Sequence, residues 1–212
     1  MNISLFGPQG SGKGTQARLL CERFGFFYFE SGAYLRKIGE KYPSIKKSMD
    51  EGKLVPDIEF TSYLTAYLDD QSLYDGIVFD GFPRTLDQYK FLRNWLTDKE
   101  VKIDLAIIIK VGEEESVKRL SARLLDPETG NIYNLITEPP PPGVDVSKLT
   151  HRSDDMPDAI KRRLGLYHEF TEPLIKELSA ETKVVEINGE RSVMEVQNEI
   201  ANLVEKMDNT DN

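Results

Sequence analysis

Short apolar runs at residues 2–6, 26–29, 77–79, 103–109 and 184–187 alternate with stretches of helical periodicity at 13–24, 57–69, 85–96, 113–124, 158–179 and 192–207. Runs that are apolar at consecutive positions bury both faces, which predicts strands of a parallel sheet with helices packed on each side. The pattern is that of an α/β fold with five strands, and such sheets bind ligands at the carboxyl ends of their strands. Two stretches break the alternation. Residues 31–59 predict helix without a strand of their own, and residues 125–156 carry the run Pro139, Pro140, Pro141, Pro142, Gly143 with no helical period. A segment that long inside a compact domain is either disordered or a functional lid, and the lid is the preferred reading. Ile132, Tyr133, Leu135 and Ile136 give that lid a small apolar cluster, and arginines flank both of its ends. The final residues, Asp208 to Asn212, predict a frayed end.

With 212 residues the chain can bury one substantial core, leaving room for insertions. A net charge of −9 and a pI of about 4.9 argue against nucleic acid or an anionic membrane as the main partner, since both require a cationic field. Any positive charge needed for an anionic ligand must therefore be concentrated locally. The single cysteine, Cys21, falls on the first helical stretch, where it is expected to pack as a small hydrophobe, and it excludes an internal disulfide. The first strand follows Met1 directly, without a charged and then apolar leader, and no apolar run reaches the length of a membrane span. The expectation is a soluble cytoplasmic protein.

Residues 7–15 read GPQGSGKGT between the first strand and the first helix. Glycines let backbone N–H groups turn inward on phosphate oxygens, the helix start adds its positive dipole end, and Lys13 supplies a mobile cation. Gly10, Ser11, Gly12, Lys13, Gly14 and Thr15 are thus the predicted phosphate cradle of a P-loop NTPase-type sheet. Gly14 stands where a hydroxyl commonly follows the lysine, so Thr15 inherits that role. A second motif ends the run Ile77, Val78, Phe79 with Asp80, followed by Gly81, Phe82, Pro83, Arg84 and Thr85. Such an aspartate organises Mg²⁺ beside phosphates, directly or through water, but it can equally cap a helix starting near Thr85. Arg84 favours the phosphate reading.

These residues closely resemble the adenylate kinase family of nucleoside monophosphate kinases. The resemblance rests on GPQGSGKGTQ, ESGAYLR at 30–36, GKLVPD at 52–57, DGFPRTLDQ at 80–88 and HRSDD followed by KRRL at 151–164, in family order over essentially the whole chain. It implies a core at 1–29, 60–122 and 157–212, a helical NMP-binding insertion at 30–59 and a lid insertion at 123–156. It also implies the reaction MgATP + AMP = 2 ADP, with ATP, AMP and ADP as partners, Mg²⁺ as cofactor and a monomeric enzyme of adenine nucleotide homeostasis. In one subgroup four ligands in the lid bind zinc. Here the corresponding turn reads Asp126, Pro127, Glu128, Thr129, Gly130, Asn131, Ile132, Tyr133, so a lid without structural zinc is expected.

Phosphoryl transfer requires alignment and charge stabilisation, with little covalent help from the protein. The resemblance assigns catalytic roles to Lys13, Arg84, Arg123, Arg152 and Arg163. ATP would be held by the cradle together with Arg119, Arg123, Tyr133 and Arg191, with Arg119 stacked on the base. AMP would be held by Ser31, Gly32, Arg36, Lys53, Leu54, Val55, Gly81, Arg84, Gln88, Arg152 and Arg163. Asp80 would hold Mg²⁺ through water. The amide of Gln88 can donate and accept at once, matching adenine N1 and N6, although the same position could be an exposed helix residue. Asp154 and Asp155 would pair with lid or helix arginines, or serve as a hinge and helix cap; Arg162 and Lys118 are expected as surface charges, and His151 and His168 as structural. Ala33 replaces an aspartate of the family pattern, which leaves Asp80 as the expected sole acidic side chain of the metal site. Alternatives remain open: a UMP or CMP kinase of the same fold, against which Thr85 and Gln88 argue, and a nucleotide-binding scaffold without turnover, hinted at by Ala33. A GTP-driven switch lacks its guanine-reading motif.

Overall fold

The computed structural model describes residues 1–208; Asn209 to Asn212, and with them most of the expected frayed end, lie outside the described residues, and Asp208 closes the last helix. Strand β1 (Ile3–Phe6) runs through the Gly-rich loop into α1 (Lys13–Phe24), and β2 (Phe27–Glu30) passes directly into α2 (Ser31–Gly39). Helices α3 (Pro43–Asp50) and α4 (Asp57–Asp70) precede β3 (Ile77–Asp80), α5 (Leu86–Thr97), β4 (Leu105–Lys110) and α6 (Glu113–Ser121). After a two-stranded ribbon, β5 (Arg123–Leu125) with β6 (Ile132–Asn134), come α7 (Pro157–Leu166), α8 (Glu172–Leu178), β7 (Lys183–Asn188) and α9 (Val193–Asp208).

The five main strands form one parallel sheet in the order β2-β3-β1-β4-β7. Its central strands are buried on both faces, as their largely apolar runs suggest, with Ser4 of β1 buried among them. One face packs Phe6, Phe29, Phe79, Ile108 and Leu174 with the apolar sides of α4 and α5. The other packs Ile3, Leu5, Val78 and Ile107 with Ala17 and Leu20 of α1 and Val196, Ile200 and Val204 of α9. Cys21 packs half-buried at the margin of this second cluster, as the small hydrophobe expected of it. β1 has β3 on one side and β4 on the other, and it is at such a reversal of chain order that loops diverge and leave a crevice.

Three differences from the periodicity have local causes. The helix expected at 113–124 stops at Ser121, because Arg123 to Leu125 pair antiparallel with Ile132 to Asn134. The helix expected at 158–179 contains a wide π turn at Tyr167–Thr171, between α7 and α8. The stretch 31–59 holds two helices and the start of α4. Within 125–156 the Asp126 carboxylate accepts from Glu128 N at 2.9 Å, Thr129 N at 3.3 Å and Thr129 Oγ1 at 2.7 Å, tying off the turn between β5 and β6. No helix among the described residues is long and apolar enough to cross a membrane.

Candidate active site

The loop after β1 is shaped by close approach. Gly7 has φ +142°, and a Cβ there would collide with the Ile109 carbonyl oxygen; Gly10, at φ +82°, would meet the Ser116 carbonyl oxygen at 2.8 Å. Only glycine fits against β4 and α6 at these points. Gly12 occupies the N-cap of α1 and offers no side chain to it, so the first-turn N–H groups remain available to an anion. Lys13 curls back and donates to Gly7 O at 2.7 Å and Pro8 O at 2.8 Å.

The loop forms one wall of a cavity of about 950 Å³ at the carboxyl ends of β1 and β3. Every residue expected at the site lines it: Gly10, Ser11, Gly12, Lys13, Gly14 and Thr15; Ser31, Gly32 and Arg36 of α2; Lys53, Leu54 and Val55; Asp80, Gly81, Arg84 and Gln88; Arg119, Arg123 and Tyr133; Arg152, Arg163 and Arg191. Six are less simply disposed than their motifs suggest. Lys53 turns its ammonium to Glu51 at 2.6 Å. Arg191 directs its guanidinium to Asn188 O and Glu199 at the rim. Arg119 is buried and held by Glu115 at 2.8 Å and Gly189 O at 3.0 Å. Arg36 pairs with Glu30 at 2.9 Å. Thr15 donates to Glu138 at 3.1 Å. Tyr133 lies on β6 with its hydroxyl 3.5 Å from Asn131.

The arginines are held by two aspartates. Asp155, whose side chain is wholly buried, takes Arg123 in a two-bond grip, Nε at 2.7 Å, and faces Arg163 at 3.6 Å. Asp154 takes Arg152 the same way at 3.0 and 2.9 Å and Arg163 at 2.8 Å. Burial alone would raise the Asp154 carboxyl, but Arg163 and Arg152 outweigh it and hold it below the usual carboxylate range. The expected pairing of these aspartates with arginines is present; the alternative of a helix cap is not, because the N-cap of α7 is Met156. Arg162 is exposed yet donates to Glu51 O, tying α7 to the end of α3.

Arg84 is anchored by Nε to Gly81 O at 2.7 Å and by Nη2 to Ser31 Oγ at 3.3 Å. Burial pushes its guanidinium down and Asp80 and Asp154 push it back up. Asp80 is raised chiefly by burial, against Lys13. Burial likewise pushes the Lys13 ammonium down to about 8, with Arg84, Arg163 and Arg123 adding to the effect and Asp80 opposing it. A polyphosphate placed against Lys13 favours its charged form, so nucleotide binding at pH about 8.5 is expected to take up a substantial fraction of a proton, up to about three-quarters. Titration calorimetry in two buffers of different ionisation enthalpy measures it; equal apparent enthalpies would refute the shift.

Asp80 is not the sole acidic side chain at its end of the cavity. Glu30 lines it as well, and the Tyr28 hydroxyl lies 3.0 Å from Asp80 Oδ2 and 3.5 Å from Glu30 Oε2. Tyr28, expected only as core, is raised by burial and stays a donor to Asp80. One buried carboxylate with a nearby hydroxyl suits an ion such as Mg²⁺ that keeps most of its water and is shared with phosphates.

Gln88 is buried at 2 % exposure, which overturns the alternative of an exposed helix residue. Its Oε1 accepts from Arg84 N at 2.7 Å and its Nε2 donates to Asp57 Oδ1 at 2.7 Å. Asp57 was legible only as the last letter of a motif, and Thr171, whose Oγ1 donates to Arg84 O at 3.0 Å, carried no signal beyond helical period.

Residues 5–183 match the family model described as "Adenylate kinase". The chain is 37 % identical to the adenylate kinase of Pyrococcus furiosus, over 99 % of this chain and 98 % of that one. It is 37 % identical to that of Petrotoga mobilis, over 96 % and 97 %, and 36 % identical to that of Salinibacter ruber, over 92 % and 94 %.

Proposed function

The chain belongs to the adenylate kinase family and transfers a phosphoryl group between ATP and AMP, and from that premise we propose how its residues divide the work. Gly10 to Thr15 hold the donor phosphates, with Arg119, Tyr133 and Arg191 around the ATP base and ribose. Ser31, Gly32, Arg36, the backbone of Lys53 to Val55, Gly81 and Gln88 hold AMP. Lys13, Arg84, Arg123, Arg152 and Arg163 surround the phosphate that moves, where charge on its equatorial oxygens must be offset. The observation that carries this reading is the convergence of the glycine loop, five cationic side chains and Gln88 on one cavity.

Mg²⁺, when bound with ATP, neutralises charge between the phosphates; Asp80 would orient its waters, with Tyr28 fixing the carboxylate. The protein's own share is positional. Residues 30–59 and 123–156 act as the acceptor-binding and lid insertions of a core made of the remaining segments, and their closure keeps water from competing with AMP. The hydrogen bonds of Asp126 support a lid turn that needs no zinc. The net charge of −9 supports small-molecule partners rather than nucleic acid or a membrane surface, and we read the protein as a cytoplasmic monomer.

The test is a coupled assay with MgATP against AMP, UMP, CMP and GMP, with Lys13→Met as control. Turnover with AMP above the others is expected, and preference for a pyrimidine would overturn the acceptor assignment. Small-angle scattering should show compaction with a bisubstrate analogue; an unchanged radius of gyration would remove the closure step.

A further inference from the structure

Resting on the reading that Gln88 faces the acceptor base, we propose that Asp57 is a positioning residue that fixes the orientation of the Gln88 amide and so selects a 6-amino purine over a 6-oxo purine. A side-chain amide has two nearly isosteric orientations. Turned one way it accepts where adenine N6 donates and donates where N1 accepts; turned the other way it matches N1–H and O6 of hypoxanthine instead. A site that leaves Gln88 free to flip would therefore discriminate weakly.

The fold removes that freedom. Arg84 N donates to Gln88 Oε1 at 2.7 Å, and Gln88 Nε2 donates to Asp57 Oδ1 at 2.7 Å. Reversing the amide would set an NH₂ against an N–H and an oxygen against a carboxylate, two repulsive contacts in a buried setting. The Asp57 carboxylate is itself pinned: its Oδ2 accepts from Thr85 Oγ1 at 2.6 Å, and the same hydroxyl accepts from Gln88 N at 3.1 Å. Because the hydroxyl has one proton and gives it to Asp57, and an ionised carboxylate only accepts, donor and acceptor roles are assigned all the way round the loop. One lone pair of Oε1 and one proton of Nε2 remain uncommitted, and Gln88 lines the cavity. That remaining pair is the one complementary to adenine.

Asp57 comes from the first turn of α4, whereas Thr85 and Gln88 come from the start of α5. The selecting orientation is thus set across two helices, by a residue that does not line the cavity. Asp57 acts on the base only through Gln88.

The experiment is the ratio of kcat/KM for AMP to that for IMP, with MgATP as donor, in the wild-type protein and in Asp57→Ala, Asp57→Ser, Asp57→Asn and Gln88→Leu. Asp57→Ala is expected to lower the AMP:IMP ratio about tenfold or more, with the loss for AMP falling on KM rather than kcat. Asp57→Ser keeps a residue that favours helix starts while being too short to hold Gln88, so it should lower the ratio even if the alanine variant fails to fold. Asp57→Asn retains an oxygen for Gln88 Nε2 and should restore most of the ratio. Equal losses for AMP and IMP in the alanine or serine variant would overturn the proposal, because a merely structural role affects both nucleotides alike. The reading beneath it fails separately: if Gln88→Leu leaves the ratio unchanged, Gln88 does not face the base. If Gln88→Leu collapses the ratio while both short variants keep it, only the role of Asp57 is lost.

Discussion

Arg84→Ala is expected to lower kcat by about 10³ or more while leaving a folded protein, the range measured for arginines that offset charge in phosphoryl transfer. The side chain is half-buried, the Asp80 and Asp154 carboxylates favour its charge, and its guanidinium is aimed by Gly81 O and Ser31 Oγ. Those bonds fix the direction of a fork whose charge is expensive to keep away from water, and that expense is offset when phosphate arrives. The fold should survive because the bonds that tie residue 84 to Gln88 and Thr171 come from its backbone N–H and carbonyl and remain when the side chain is cut back. Steady-state kinetics with AMP and a thermal melt together decide it. A kcat near wild type would remove Arg84 from the catalytic group.

Asp155→Ala carries the largest expected cost in stability. The carboxylate is completely buried and holds Arg123 by two bonds with Arg163 close by, so its loss leaves like charges facing each other with little solvent between them. Removing one partner of a buried ion pair costs about 3–5 kcal/mol. Arg123 keeps 17 % exposure and can turn partly outward, which favours the lower figure. About 3 kcal/mol corresponds to a fall in Tm of roughly 6–12 °C for a chain of this size. A polyanion replaces the missing negative charge, so a bisubstrate analogue should raise the Tm of the variant by more than that of the wild type. Equal increments, or a melt within about 1 °C of wild type, would show that the pair contributes little.

Much of this molecule is readable before it folds, and the reasons are local. β1, β3 and β4 announce themselves because strands covered on both faces need runs that are apolar at most consecutive positions, and the loop from Gly7 to Thr15 because close backbone approach admits nothing but glycine at fixed points. What escapes is set by partners distant in sequence. Arg123 to Leu125 continue a helical period, yet pairing with Ile132 to Asn134 wins. Gln88 reads as an ambivalent helix residue until Asp57, thirty-one positions earlier, is brought against it. Glu30 reads as a strand-end charge until β2 and β3 align it with Asp80. The paired aspartates 154 and 155 predict arginine partners correctly in kind, but only the fold distributes three arginines between them.

The wide turn at Tyr167–Thr171 acts on everything beyond it as a correction of angular phase. From Arg163 to Thr171 is 171 − 163 = 8 residues, and eight regular helical steps of about 100° would carry Thr171 about 80° past the face that bears Arg163. A π turn advances less per residue and takes back that lead, so both residues face the same cavity and Thr171 meets the carbonyl of Arg84. Forcing this stretch into regular helix at its present length would rotate Thr171 away from the arginine it steadies, whereas deleting one residue would leave seven regular steps, only about 20° short of two full turns, and keep the two side chains on one face.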